Sequence, residues 1–135
     1  MSGIGQPSEA ASLALHSMAL MARKGPGLTS ARQIAEETGF SEAHLSKVLQ
    51  RLVRAELAHS VRGPRGGFSL AAPPHMIGLL DIYEAIEGPL KPNRCSMRDR
   101  CSLKSCLFSD VRERLVEEFR SYLQSHTLAD FPHAE

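Results

Sequence analysis

The chain has 135 residues, 42% hydrophobic but only 5% aromatic, with no Trp and a formal net charge of +1. That length suits one compact domain, and a core of Leu, Ala, Ile, Val and Met fits packed helices better than a large β-sandwich. A molecule basic all over is excluded, so any nucleic-acid surface must be local. No stretch approaches the roughly 18 consecutive apolar residues needed to cross a bilayer, so no membrane partner is expected. The opening MSGIGQPSEA lacks the basic end and apolar run of a signal peptide and reads as a flexible tail over residues 1–7. Three cysteines, an odd number, argue against a secreted disulfide framework, and a cytoplasmic location is expected.

A first helix is expected from about Ser8 to Arg23. Ser8 is its N-cap, Glu9 lies in its first turn and Gly25-Pro26 stops it. Ala11, Ala14, Leu15, Met18, Met21 and Ala22 form its apolar stripe, while Glu9, Ser12 and His16 share a polar face. A short helix capped by Thr29 or Ser30 follows, through about Glu37. After the turn at Gly39, Ser41 caps a second helix from about Glu42 to Ala55, with Leu45, Val48, Leu49 and Leu52 inward. Two short helices around a Gly-containing turn make a helix-turn-helix.

Two short apolar runs, about Leu57 to Val61 and Gly67 to Leu70, flank RGPRGG and predict a basic hairpin. After Pro73-Pro74, HMIGLLDIYEAIEG predicts a helix with Met76, Leu79, Leu80, Tyr83 and Ile86 inward. A last helix is expected over residues 109–126, with Val111, Leu115, Phe119, Tyr122 and Leu123 as its stripe. It is long for the edge of so small a domain. The alternative to packing on its own core is a two-fold dimer helix, because winged-helix proteins that read paired half-sites need one. The fold class expected is mainly α with a small β-hairpin. It is a winged helix-turn-helix domain over residues 8–88, a cysteine loop over 89–108, a dimerisation helix over 109–126 and a tail over 127–135.

The second helix of the motif carries Ser41, Ala43, His44, Ser46, Lys47, Gln50, Arg51 and Arg54 opposite its apolar stripe. Side chains near the N-terminal end of such a helix reach base edges, so His44, Ser46 and Lys47 are expected to face bases and Arg51 and Arg54 to lie nearer phosphates. An isolated Lys/Arg/Gln face is usually just solvated. Here Arg62 and Arg65 of the hairpin, and Ser30 and Arg32 at the start of the preceding short helix, add candidate phosphate contacts. Double-stranded DNA is the partner this set implies.

All three cysteines, Cys95, Cys101 and Cys106, sit in RCSMRDRCSLKSC among Arg94, Arg98, Arg100 and Lys104. Nearby cations lower thiol pKa values and offset an anionic centre, which suits an iron–sulfur cluster. A zinc site remains open, although the closely spaced cysteine pair typical of zinc is missing. So do three unliganded thiols that respond to oxidation.

Together LALHSMALMA, IAEETGFSEAHLSKVLQRL, SVRGPRGGFSL, DIYEAIEGP, the cysteine loop and TLADF resemble the Rrf-type winged-helix transcription regulators, the family of IscR and NsrR. The resemblance runs from about Ser8 to Phe131, and the wing is its most specific part. It implies a bacterial homodimer with a long crossing helix, a DNA operator, and an iron–sulfur cluster, [2Fe-2S] or [4Fe-4S], held by Cys95, Cys101 and Cys106. IscR-like members carry a histidine soon after the third cysteine, where this chain has Ser109 and Asp110. NsrR-like members take an acidic residue from the first helix of the other subunit, where this chain has Ser12. His16, one turn on and a position where some members carry histidine, is the expected further ligand, contributed across the dimer, with Glu9, Asp110 or a small exogenous ligand as the alternatives.

The leading expectation is a DNA-binding transcription regulator sensing iron, redox state or nitric oxide. A regulator with zinc or bare thiols in the loop, and a winged-helix module that binds protein rather than DNA, are the alternatives. No P-loop, Gly-rich dinucleotide turn, HExxH or GxSxG motif is present, and no enzymatic activity is expected.

Overall fold

The computed structural model describes residues 7–91, 97 and 99–131, and the expected helices and hairpin are all present. Helix α1 (Glu9–Lys24) begins where the Ser8 hydroxyl oxygen accepts the Ala11 N–H at 3.1 Å. It buries Ala11, Leu13, Ala14, Ser17, Met18 and Met21, leaving Leu15 and Ala22 of the expected stripe only partly covered. Leu13 and Ser17 lie off that stripe. They are buried because α1 is the central helix, covered on more than one side by its neighbours.

Helix α2 (Ala31–Thr38) starts in a capping box. Ser30 accepts the Gln33 N–H at 3.1 Å, and the Gln33 side chain accepts the Ser30 N–H at 2.8 Å. Gly39, at φ 80°, turns the chain, and Ser41 caps α3 (Glu42–Arg54) through the His44 N–H. Leu45, Val48, Leu49 and Leu52 are buried as the apolar period requires. Helix α3 ends in paired bonds from Glu56 N–H to the Val53 carbonyl and from Leu57 N–H to the Leu52 carbonyl, the Schellman pattern. Its left-handed position is held by Glu56 at φ 63°, where glycine is the usual occupant.

Strands β1 (Ala58–Val61) and β2 (Gly67–Leu70) pair antiparallel in the register Ala58↔Leu70 to Val61↔Gly67. Thr29, just before α2, exchanges two backbone bonds with Phe68 at 2.8 and 2.9 Å and straps the wing to the helix-turn-helix. That close approach requires glycine beside it. A Cβ on Gly67 would sit 2.8 Å from the Thr29 carbonyl oxygen.

One expected helix starts later than its apolar period suggested. Pro74–Met76 is a single 3₁₀ turn, and α4 runs over Leu79–Glu87. Met76 is 66% exposed rather than inward, because that turn rotates the chain and Ile77 takes the buried place. Leu80 and Tyr83 are partly buried, whereas Leu79, Ile82 and Ile86 enter the core. Helix α5 (Val111–Gln124) packs on α4 through Phe119, edge-on to Tyr83 at 5.3 Å, and through buried Leu123. Beyond it, the chain does not trail away at residue 127. Thr127 caps a second 3₁₀ turn (Leu128–Asp130), the Leu128 N–H binds the Ile77 carbonyl, and Leu128 is buried.

Candidate nucleic-acid interface and cysteine loop

The candidate recognition surface is on α3, whose position is set by the burial of Leu45, Leu49 and Leu52. Ser46, Lys47, Gln50, Arg51 and Arg54 line a basic groove of about 490 Å³ along it. A second cleft, of about 310 Å³, lies between the α2 start and the wing and is lined by Ser30, Gln50, Ser60, Arg62, Gly63 and Gly66. Arg62 and Arg65 are exposed at the wing tip. Bare glycine backbone beside an arginine suits close approach to a phosphate. Gln50 borders both hollows. Its spacing puts it on the polar face, but only the fold brings it against the wing.

The other candidate residues have local partners. The Ser30 and Ser41 hydroxyls serve as helix caps. Arg32 pairs with Glu36 at 3.5 Å on the exposed face of α2. His44 is turned partly toward α1, its Nδ1 lying 3.4 Å from Glu9 Oε1. Arg51 reaches across to the Ile86 carbonyl oxygen at the end of α4, 2.5 Å away. Neither link can be read from helical period, since each joins residues 35 positions apart in the chain.

Residues 99–110 are all exposed, and Cys101 and Cys106 are free thiols there. Both line a hollow of about 590 Å³ with Arg100 and Lys104, and its walls are the exposed apolar side chains of Met97, Leu103, Leu107 and Phe108. The loop is therefore less polar than its cations suggest. Cys95, Arg94 and Arg98 lie outside the described residues. Among the described residues, no three His, Cys, Asp or Glu side chains come together as a metal-binding group.

The stem of the loop is held on both sides. Leu90 donates its N–H to the Glu84 carboxylate at 2.8 Å, and its carbonyl accepts from Arg120. His16 is exposed on α1 with its Nδ1 2.7 Å from the Ser12 carbonyl oxygen. Donation to that carbonyl places the ring hydrogen on Nδ1 and leaves Nε2 as the open nitrogen, the arrangement common in metal-binding histidines. Asp110 pairs with Arg114 at 3.3 Å.

Residues 8–134 match the Rrf2 family, described as iron-dependent transcriptional regulators. The chain belongs to the Rrf2 family. A Neisseria meningitidis serogroup A protein bearing the name of an HTH-type transcriptional regulator is 35% identical over 116 residues, covering 85% of this chain and 77% of that one. Among solved structures, CymR of B. subtilis, the global cysteine regulator, superposes with a TM-score of 0.77 at 29% identity, covering 94% of this chain and 95% of that one. IscR of T. potens gives a TM-score of 0.72 at 31% identity, covering 93% and 85%. Membership makes this Rrf2 chain one of a family of winged-helix transcription regulators that bind DNA. No helix among the described residues is long and apolar enough to cross a membrane.

Proposed function

We propose that this Rrf2-family protein is a homodimer that binds a partly palindromic operator and changes its affinity when iron, redox state or nitric oxide alters an iron–sulfur cluster. Cys95, Cys101 and Cys106 would hold the cluster, with His16 of the partner subunit as the further ligand. The observation that carries this reading is the shared hollow of Cys101 and Cys106. Two exposed thiols face one space between Arg100 and Lys104, and neither is tied up in a disulfide. Cysteine sulfurs are the usual ligands of iron–sulfur centres, and the adjacent cations would offset the negative charge of such a centre. When bound, such a group would supply a redox-active iron site that oxidants and nitric oxide can reach.

The chain's own residues do the rest. Glu84 and Arg120 grip Leu90 at the stem of the loop, so a change in loop conformation pulls on α4 and α5. Arg51 ties the end of α4 to the recognition helix. Arg62 and Arg65 meet phosphates and groove edges, His44, Ser46 and Lys47 lie nearest bases, and Ser30, Arg32 and Ser41 border the backbone path. Support for the homodimer comes from α5, which leaves Leu115 and Tyr122 of its apolar stripe nearly half exposed, as a helix waiting for a second copy would. Cytoplasmic residence follows from the operator.

A second reading has its own observation. Cys101 and Cys106 are exposed enough to be oxidised directly, and the fold is shared with CymR, for which an oxidised form from Staphylococcus aureus has been solved at 27% identity and a TM-score of 0.74. In that case the thiols are the sensor and no cluster intervenes. An operator selected in vitro from random duplexes provides the probe for both readings. Under anaerobic conditions, Cys101→Ser and Cys106→Ser should shift operator affinity while leaving non-specific DNA affinity unchanged. Unchanged operator affinity in both variants, with and without oxidant, would contradict either form of sensing.

A further inference from the structure

Glu9, on the polar face of α1, reaches α3. Glu9 is the first residue of α1 and His44 the third residue of α3, and Glu9 Oε1 lies 3.4 Å from His44 Nδ1. We infer that Glu9 is a positioning residue for operator recognition, setting which edge of the His44 ring is presented to DNA. The inference rests on the reading that α3 enters the DNA groove.

Both ends of the contact are held. The Ser8 hydroxyl caps α1 through the Ala11 N–H and donates to the Glu87 carboxylate in the last turn of α4. Just beyond Glu9, Ala11 and Leu13 are fully buried, as is Leu45 beside His44. The Glu9 backbone therefore cannot drift along α3. On the other side, the His44 N–H is fixed to the Ser41 cap, leaving the ring free only in its side-chain torsions.

At 3.4 Å the contact is long for a hydrogen bond, and its value lies in orientation more than in strength. An imidazole otherwise occupies two ring orientations of similar energy, related by a half-turn. A carboxylate on one side favours the orientation and tautomer with the hydrogen on Nδ1. The opposite nitrogen, Nε2, is then the one offered to a base edge, and a single defined acceptor discriminates between bases better than a mixture does. Glu42 in the first turn of α3 and Lys47 one turn on are the charged neighbours on the helix itself. The Glu9 carboxylate adds a selective element of its own, because any binding register that pressed it against a phosphate would be disfavoured.

The test compares wild type with Glu9→Ala, Glu9→Gln, His44→Ala and the Glu9→Ala/His44→Ala double variant. Affinity is measured for the in vitro-selected operator and for a scrambled duplex at fixed salt. Glu9→Ala should lower the operator-to-scrambled ratio about three- to tenfold, the range of one modest hydrogen-bond-scale interaction. Glu9→Gln keeps an oxygen toward Nδ1 and should retain most of the ratio. Glu9→Ala should cause no further loss once His44 is gone.

The ¹⁵N signals of the His44 ring supply a second readout, needing no DNA. They should report one tautomer in wild type and Glu9→Gln, and an averaged pair in Glu9→Ala. Identical ring signals in wild type and Glu9→Ala would overturn the inference, as would an undiminished effect of Glu9→Ala in the His44→Ala background. A wild type that cannot tell operator from scrambled DNA would instead sink the recognition reading, and this inference with it.

Discussion

The Arg51 guanidinium donates to the Ile86 carbonyl oxygen at 2.5 Å, tying the C-terminal half of α3 to the last turn of α4. The carbonyl is one of the four at a helix end that lack an intrahelical partner, so the bond satisfies a real need. Helix α4 in turn leads into the cysteine loop through Gly88 and Leu90. Arg51 thus acts as a strut between α3 and the end of α4 that leads into the cysteine loop, as well as lining the basic groove.

Arg51→Ala should therefore lower stability by about 1–2 kcal/mol, spanning the values for a neutral hydrogen bond and one from a charged donor. Urea unfolding of the variant against wild type measures this. A stability loss within error would mean the bond is replaced by water at no cost.

Lys47→Ala and Arg62→Ala should leave stability nearly unchanged and weaken DNA binding. Removing one phosphate contact should reduce the slope of log affinity against log salt by about 0.9 for duplex DNA. A residue that reads a base instead would flatten specificity at one operator position, by about 1–3 kcal/mol. Titrations of both variants at several salt concentrations distinguish the two roles.

The segment after α5 is a structural staple. Leu79 donates its N–H to the His126 carbonyl, Leu128 donates to Ile77, and the Leu128 side chain is 3% exposed. Leu128→Ala should destabilise the fold by about 2–4 kcal/mol through reduced burial and the cavity left behind. Thermal unfolding gives the answer directly.

Glu56 occupies the left-handed position that ends α3, at φ 63°. A side chain there is strained by roughly 1–2 kcal/mol relative to the right-handed region. Glu56→Gly should raise stability by about 1 kcal/mol, less than the full strain because glycine also loses more entropy on folding. Glu56→Val should lower it. Equal melting temperatures for all three would remove the strain argument.

The ends of α1 and α2 are joined by Glu37, which meets Lys24 at 2.8 Å and Arg23 at 2.6 Å. The Lys24 hydrogen bond, reinforced by the charge of Arg23, holds the Glu37 carboxyl below its ordinary value of 4.5. A depressed carboxylate stabilises the fold above its unfolded pKa, and that contribution fades as pH falls through the lower folded value. Glu37→Gln should cost less than about 1 kcal/mol at pH 7, because the pair is exposed and screened. The difference should disappear in acid, below the carboxylate range. Stability curves of both proteins from neutral pH downward check the sign.

Much of this molecule is legible in its local chemistry. The α3 stripe of Leu45, Val48, Leu49 and Leu52 follows from the helical period, and β2 at Gly67–Leu70 follows from alternation beside a Gly/Pro turn. What escaped was set by tertiary context. Leu13 and Ser17 are buried because α1 is surrounded, which a single-stripe reading cannot register. Met76 is displaced by the 3₁₀ turn that Pro74 begins.

In the candidate site, spacing along one helix places Ser46, Lys47 and Gln50 together. The partners of His44 and Arg51 lie on other helices and depend on the fold. Helix α5 shows its stripe half covered, because Phe119 and Leu123 in its C-terminal half make the packing against α4 and the core.

The leading proposal for sensing is a cluster bound by the three cysteines. Anaerobic purification followed by assays of iron and acid-labile sulfide per chain decides whether one is there. A brown protein with matched iron and sulfide is expected. Both should be lost in Cys101→Ser and Cys106→Ser and reduced in His16→Ala. A colourless protein, still free of iron after anaerobic reconstitution with iron and sulfide, would contradict the cluster and leave the thiols themselves as the sensor.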